Sequence, residues 1–178
     1  MKPTPFHPVK LVCGMISSKR LCFERGEDLL KSALGRIDLR SDFFSFTVTD
    51  YYEKEMGPDL SRQFVSFENL IAPEELAAIK INTNKMEDQI KDEFKSDFRV
   101  INLDPGYLSS AALVMATAKN FSHRIPLADG IYAHLEFLFG KKNNIRLMEW
   151  TYPDFRLPAY EEFFLKIRET FLVQLQNI

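Results

Sequence analysis

Phe121–Phe139, FSHRIPLADGIYAHLEFLF, carries the strongest local signal in the chain. Asp129–Gly130 stands between two apolar runs, Phe121–Leu127 and Ile131–Phe139. Asp and Gly tolerate the left-handed backbone of a two-residue turn, so the stretch predicts an antiparallel hairpin. A two-residue loop sets Ala128 opposite Ile131, Pro126 opposite Ala133 and Arg124 opposite Leu135. It also sets His123 opposite Glu136, and Ile125 opposite His134. Directly opposed residues share a face, and Ile131, Ala133, Leu135, Phe137 and Phe139 mark the core face. Arg124 is therefore expected on the core side, near the strand start. A guanidinium there needs a carboxylate, phosphate or carbonyl partner. A scaffold acid, or solvent at the end of the sheet, meets that need as well as a ligand does.

Working outward, a second hairpin through Gly140–Asn144 is expected to bring in Ile145–Tyr152. A last helix begins near Pro158, with Tyr160, Phe163, Phe164, Ile167, Phe171 and Leu175 forming an apolar stripe. Upstream, Val9–Ile16 is apolar at nearly every position, as a strand covered on both faces requires. Arg20–Leu34 reads as a helix closed by Gly35. Ile37 and Leu39, then Phe44, Phe46 and Val48, alternate with polar residues, and the slip in phase places a bulge near Ser41–Asp42. Asp50 and Glu53 have capping-box spacing, so Tyr51–Met56 is expected to be a helical turn, ended by Gly57–Pro58. Arg62–Phe67 and Arg99–Leu103 read as strands, and Pro73 starts a helix reaching Phe94. Asp104-Pro105-Gly106-Tyr107 reads as a tight turn. Ser109 or Ser110 then caps a buried Ala-rich helix to about Lys119. Without repeats or linkers, this mixture predicts a single α+β domain over residues 1–178. Its sheet is mixed but largely antiparallel, of about five to seven strands, packed with roughly three to four helices.

The 178 residues, 46% hydrophobic and 27% charged, suffice for a full core without disulfides. Lys and Arg number 23 against 25 Asp and Glu, giving a net charge of −2. No broad basic surface follows, so nucleic acid is not an expected partner. The apolar runs are too short for a bilayer, so no membrane partner is expected. Met1–Lys10 lacks the hydrophobic segment of a secretory signal. Cys13, Cys22, His7, His123 and His134 show no metal-ligand spacing, so no metal site is assigned. No phosphate-binding glycine loop and no nucleophile elbow is present.

Four polar constellations remain. Asn102 and Asp104 share one strand face ahead of Tyr107, and could orient a ligand held with Ser109 and Ser110 at the expected helix start. Lys119, His123 and Arg124 form a local cationic cluster suited to phosphate or carboxylate, with His123 or Asp104 moving protons. Lys80, Asn84 and Glu87, at i, i+4 and i+7, lie on one side of the predicted helix and could line a pocket rim. Thr49–Gly57 gathers acids and tyrosines, and Asp50, Glu55, Asp104 and Asp129 could meet a divalent ion, though no spacing requires it. Turn chemistry, dipole complementation and solvated helix faces account for the same residues structurally.

Thr49–Gly57, Lys80–Glu87, Asn102–Tyr107, His123-Arg124 through Gly130-Ile131-Tyr132, and Trp150–Asp154 resemble a prokaryotic family of similar length, domain of unknown function 4416. The resemblance implies a free-standing cytoplasmic bacterial or archaeal protein. It brings no established catalytic residues and no cofactor. Members sometimes labelled GTP-binding lack the usual GTPase motifs, as this sequence does. The combined expectation is a protein that binds a small phosphorylated or nucleotide-like anion, with a reaction on that ligand left open. The ligand set is Lys119, Arg124, Asn102, Tyr107, Asp50, Lys80, Asn84 and Glu87. The alternative is a non-catalytic interaction module, in which aromatic residues of the last helix form a homodimer or partner interface.

Overall fold

β1 (Val9–Ser17) is buried along its whole length, because both its faces and both its edges are covered. The computed structural model describes residues 2–48, 52–141 and 144–177. β1 pairs antiparallel with β4 (Ser61–Ile71) on one side and β5 (Asn102–Leu108) on the other, and β2 (Ile37–Arg40) lies beyond β4. Helix α1 (Arg20–Leu34) follows β1, and α3 (Leu76–Glu93) joins β4 to β5. The order β2-β4-β1-β5 is thus a split βαββαβ unit. The extra pieces β3 (Phe44–Ser45), paired with β4, and the single turn α2 (Glu53–Met56) fall between β2 and β4.

The two faces of this unit bury different residues, as strand alternation requires. Leu11, Cys13 and Met15 join Phe23, Leu30, Ile79, Met86 and Ile90 of the two helices. Val12 and Phe64 face the other way, toward α4 (Pro158–Leu175). Phe64 meets Tyr160 at 4.8 Å and Phe164 at 5.0 Å, both edge to face. Edge-to-face pairs add about 0.5–1.5 kcal/mol beyond the area they bury. Phe163, Phe164, Ile167 and Phe171 are all buried in this core. The expected stripe on the last helix therefore covers the chain's own sheet, not a partner's surface.

The sheet continues past β5 through β6 (Ala112–Thr117), β8 (Ile131–Phe139) and β7 (Ile125–Ala128), while β9 (Ile145–Leu147) pairs with β8. Among the described residues all nine strands pair antiparallel. The α+β class stands. Two local expectations do not. Asp104-Pro105-Gly106-Tyr107 is not a turn but the middle of β5. Pro105 is accommodated because that half of β5 has a neighbour only on the β1 side, so no second ladder needs its missing N–H. The Ala-rich helix is strand β6. Ser109, expected to cap a helix, shapes a β-turn instead: its backbone N–H donates to Ala112 O at 2.9 Å and its Oγ accepts from Ala112 N–H at 3.0 Å.

The Asp129–Gly130 turn forms, with φ of 51° and 77°. Ala128 pairs with Ile131 as expected, but an irregularity between Pro126 and Ala128 then shifts the ladder. Pro126 faces Tyr132 and Ile125 faces Ala133. Proline cannot donate to the ladder, and a bulge absorbs the defect. His123 and Arg124 consequently precede β7 and do not take the strand positions opposite Glu136 and Leu135. Of the expected second hairpin, only Ile145–Leu147 is strand. The Asp50 capping box falls outside the described residues.

Candidate functional site

Where β5 and β6 stop pairing, the fold opens. Their ladder runs only from Gly106–Met115 to Leu108–Leu113. A Cβ at residue 106 would collide with Met115 Sδ and sit 2.6 Å from Val114 O, so only glycine permits this close approach. Beyond it, Asn102 and Asp104 of β5, Ala116 and Thr117 of β6, and Ala118 and Lys119 just after β6 line a cavity of about 340 Å³. That volume is at the small end of ligand pockets. Mid-helix residues Lys80, Asn84 and Glu87 of α3 supply another wall. Arg62 of β4, Tyr52, Arg99, Arg124, His134, Glu136 and Tyr152 complete the polar lining.

On the β4, β5 and α3 side the charges are interlocked. Arg62 is buried and pairs with Asp154, while its other terminal nitrogen lies 3.6 Å from Asp104. Lys80 Nζ donates to Leu103 O at 2.7 Å and to Asp104 Oδ1 at 3.3 Å, and stands 3.9 Å from Glu87. Glu87 Oε1 accepts the Leu103 N–H at 2.6 Å. Arg99 donates to Asn102 Oδ1 at 2.9 Å and to Glu55 at 2.7 Å, with Glu87 at 3.5 Å. Asn102 in turn donates to Asp104. Burial alone would raise the Asp104 carboxyl, but Lys80 and Arg62 outweigh it and hold Asp104 below its ordinary value. Glu87 behaves oppositely: burial pushes it up to about 7 despite Lys80 and the Leu103 N–H.

The β6–β8 side is built differently. Arg124 Nη1 donates to the Lys119 carbonyl at 2.7 Å, and its Nε donates to His134 Nδ1 at 3.3 Å. Among the described residues Arg124 has no carboxylate partner. His134 is buried, with Nε2 2.8 Å from Glu136 Oε2, although the pair is not aligned as a hydrogen bond. Glu136 is fixed by the Tyr152 N–H at 2.6 Å. His123 stacks on Trp150 with ring centroids 5.1 Å apart, and its Nε2 lies 3.2 Å from His134 Nδ1. Partial desolvation, then the neighbouring His134 and Arg124, push His123 below its usual range.

Of the residues expected from the sequence, Lys80, Asn84, Glu87, Asn102, Asp104, Lys119 and Arg124 line this one cavity. His123 stands behind the wall, against His134. Tyr107 does not reach the site: it packs with Leu76, Ala77, Ala116 and Ile131, as its position on the opposite strand face from Asp104 dictates. Asp50 lies outside the described residues. Glu55 faces Arg99 and Asp104 faces Lys80, so the acids imagined around a divalent ion do not converge. Among the described residues no group of three or more His, Cys, Asp or Glu is placed to hold a metal. Tyr52, from the Thr49–Gly57 constellation, also lines the cavity, while sequence reading missed Arg62, Arg99, His134 and Glu136 as site residues. A strand-face reading of β8 pairs His134 with Glu136 at i and i+2, and Arg62 is an isolated cation at the head of an apolar strand.

Among the described residues no helix is long and apolar enough to cross a membrane. No curated protein and no solved structure matches the chain. A family model does match, over residues 7–171 of the 178, and that span covers both halves of the sheet and every described residue of the cavity. The chain belongs to the family described as Domain of unknown function (DUF4416).

Proposed function

We propose that the protein binds a small phosphorylated or nucleotide-like anion in the cavity between β5 and β6. The observation that carries this reading is Arg124. Its guanidinium lines the recess, yet its hydrogen bonds among the described residues go to a carbonyl oxygen and an imidazole nitrogen. A partly buried guanidinium without a counter-ion gains most from an incoming anion, because a charge-assisted bidentate contact replaces neutral ones. Lys119, on the same segment, lines the same cavity, as do Asn102 and Asp104 of β5. In this reading Asp104 holds Lys80 and Arg62 in place, and His123 exchanges protons with the site through His134.

The test is a thermal-shift screen of nucleotides, phosphosugars and divalent ions. A ligand that binds only the native state raises the melting temperature, by about 2.7 kcal/mol of added stability at a hundred times Kd. A phosphorylated hit is expected, and Arg124→Ala should abolish it while the ligand-free melting temperature holds. A hit that persists undiminished in Arg124→Ala removes this reading.

A further inference from the structure

Resting on that reading, we infer that the ligand carries one anionic group, joined to a body with a neutral hydrogen-bonding group, and that polyphosphates are excluded. Five cationic side chains line the cavity, but they are not equivalent. Arg62, Lys80 and Arg99 each face at least two carboxylates. Replacing those partners with phosphate gains little, since one charge-assisted contact is exchanged for another. Among the described residues Arg124 has no carboxylate partner, so its positive potential stands open at the corner where it bonds the Lys119 backbone.

A second or third phosphate extending from that corner meets the wrong charge. Asp104 and Glu136 line the same cavity. Asp104 is held ionised by Lys80 and Arg62, so it repels a further phosphate at every physiological pH. Along α3 the backbone offers no relief. The α3 residues at the cavity, Lys80, Asn84 and Glu87, come from the middle of the helix, where N–H groups are already bonded within the helix. Polyphosphate cradles depend on helix N-termini or runs of free backbone N–H groups.

The opposite wall supplies a second, neutral contact point. Asn84 lines the cavity, and among the described residues its side-chain amide makes no hydrogen bond. Asn102, by contrast, is saturated: its oxygen accepts from Arg99 and its nitrogen donates to Asp104. An amide with both a donor and an acceptor open reads a neutral group that offers the complement, such as a hydroxyl, an amide or a ring edge. The site is therefore bipolar: anion at Arg124, neutral group at Asn84.

Inorganic phosphate, pyrophosphate and tripolyphosphate, compared by thermal shift at equal concentration and ionic strength, isolate the charge count from the ligand's body. Phosphate should raise the melting temperature most and tripolyphosphate least. The phosphate shift should vanish in Arg124→Gln and return in part in Arg124→Lys. Ribose 5-phosphate and AMP then extend past the phosphate. At least one should bind about tenfold tighter than phosphate, and Asn84→Ala should remove that gain while leaving the phosphate shift unchanged. A larger Arg124-dependent shift with tripolyphosphate, or a gain that survives Asn84→Ala, overturns this inference but leaves anion binding standing. No Arg124-dependent shift with any of the five compounds overturns anion binding itself, and this inference with it.

Discussion

The two sides of the cavity solve the same problem, burying charge, in opposite ways. On the β4, β5 and α3 side every cation is matched by carboxylates: Arg62 by Asp154 and Asp104, Lys80 by Asp104 and Glu87, Arg99 by Glu55 and Glu87. On the β6–β8 side Arg124 rests on neutral atoms. A closed network of charges fixes strands in place but has little left to offer a ligand. A cation tethered by neutral groups contributes little to folding and keeps its charge for something else. The difference assigns scaffold work to one wall and recognition to the other, and mutations should separate them.

The sharpest break is Arg62→Met. Removing one partner of a buried ion pair strands the other, and here Asp154 and Asp104 are both left facing an apolar side chain. A loss of about 3–5 kcal/mol in urea unfolding is expected. A loss within about 0.5 kcal/mol would mean that solvent reaches these charges and the wall is not a closed network. Glu87 sharpens the same side through pH. Its carboxyl, at about 7 in the fold, lies above its unfolded value, so the fold prefers the protonated form. Glu87 therefore stabilises fully below pH ~4.5, and that contribution is lost as pH rises to about 7, by roughly 3 kcal/mol in total. Glu87→Gln should flatten this slope between those limits while leaving the acid limb from Asp104, which is lost only as pH falls through its lowered value. Identical pH profiles for the two proteins would contradict the burial argument. The smallest effect belongs to the other wall: Arg124→Gln should move the unfolding free energy by no more than about 0.5 kcal/mol. A larger loss would make Arg124 part of the scaffold after all.

What could be read without coordinates divides along similar lines. β1 was legible from its unbroken apolar run, and α1, α3 and α4 from helical apolar spacing with a boundary signal, such as Gly35 after α1 or Pro158 at the start of α4. The β5–β6 hairpin was not. Asp104-Pro105-Gly106 has turn chemistry, and Ala112–Thr117 is apolar without a decisive period, so local propensity pointed to turn and helix. Tertiary pairing overrode both, with β1 drawing β5 straight and Gly106 admitting Met115. The site divided likewise. Lys80, Asn84 and Glu87 could be grouped by helical spacing, and Lys119 with Arg124 by proximity in sequence. Nothing local tells that these groups share one recess, because that depends on two strands separating after a few rungs. Arg62 and Arg99 escaped notice for the same reason: Arg99–Glu55 and Arg62–Asp154 join residues 44 or more positions apart in the sequence.

Gly106 has a final consequence. Since the rungs between β5 and β6 end at this residue, the room available to a ligand is fixed by where the zipper halts, independently of the side chains that do the recognising. Extending the pairing toward Asn102 would fasten more of the seam and narrow the recess, and ending it nearer Leu108 would widen it. The fold thus separates two properties that most sites entangle, the size of the guest and the chemistry that greets it, and leaves each open to change on its own.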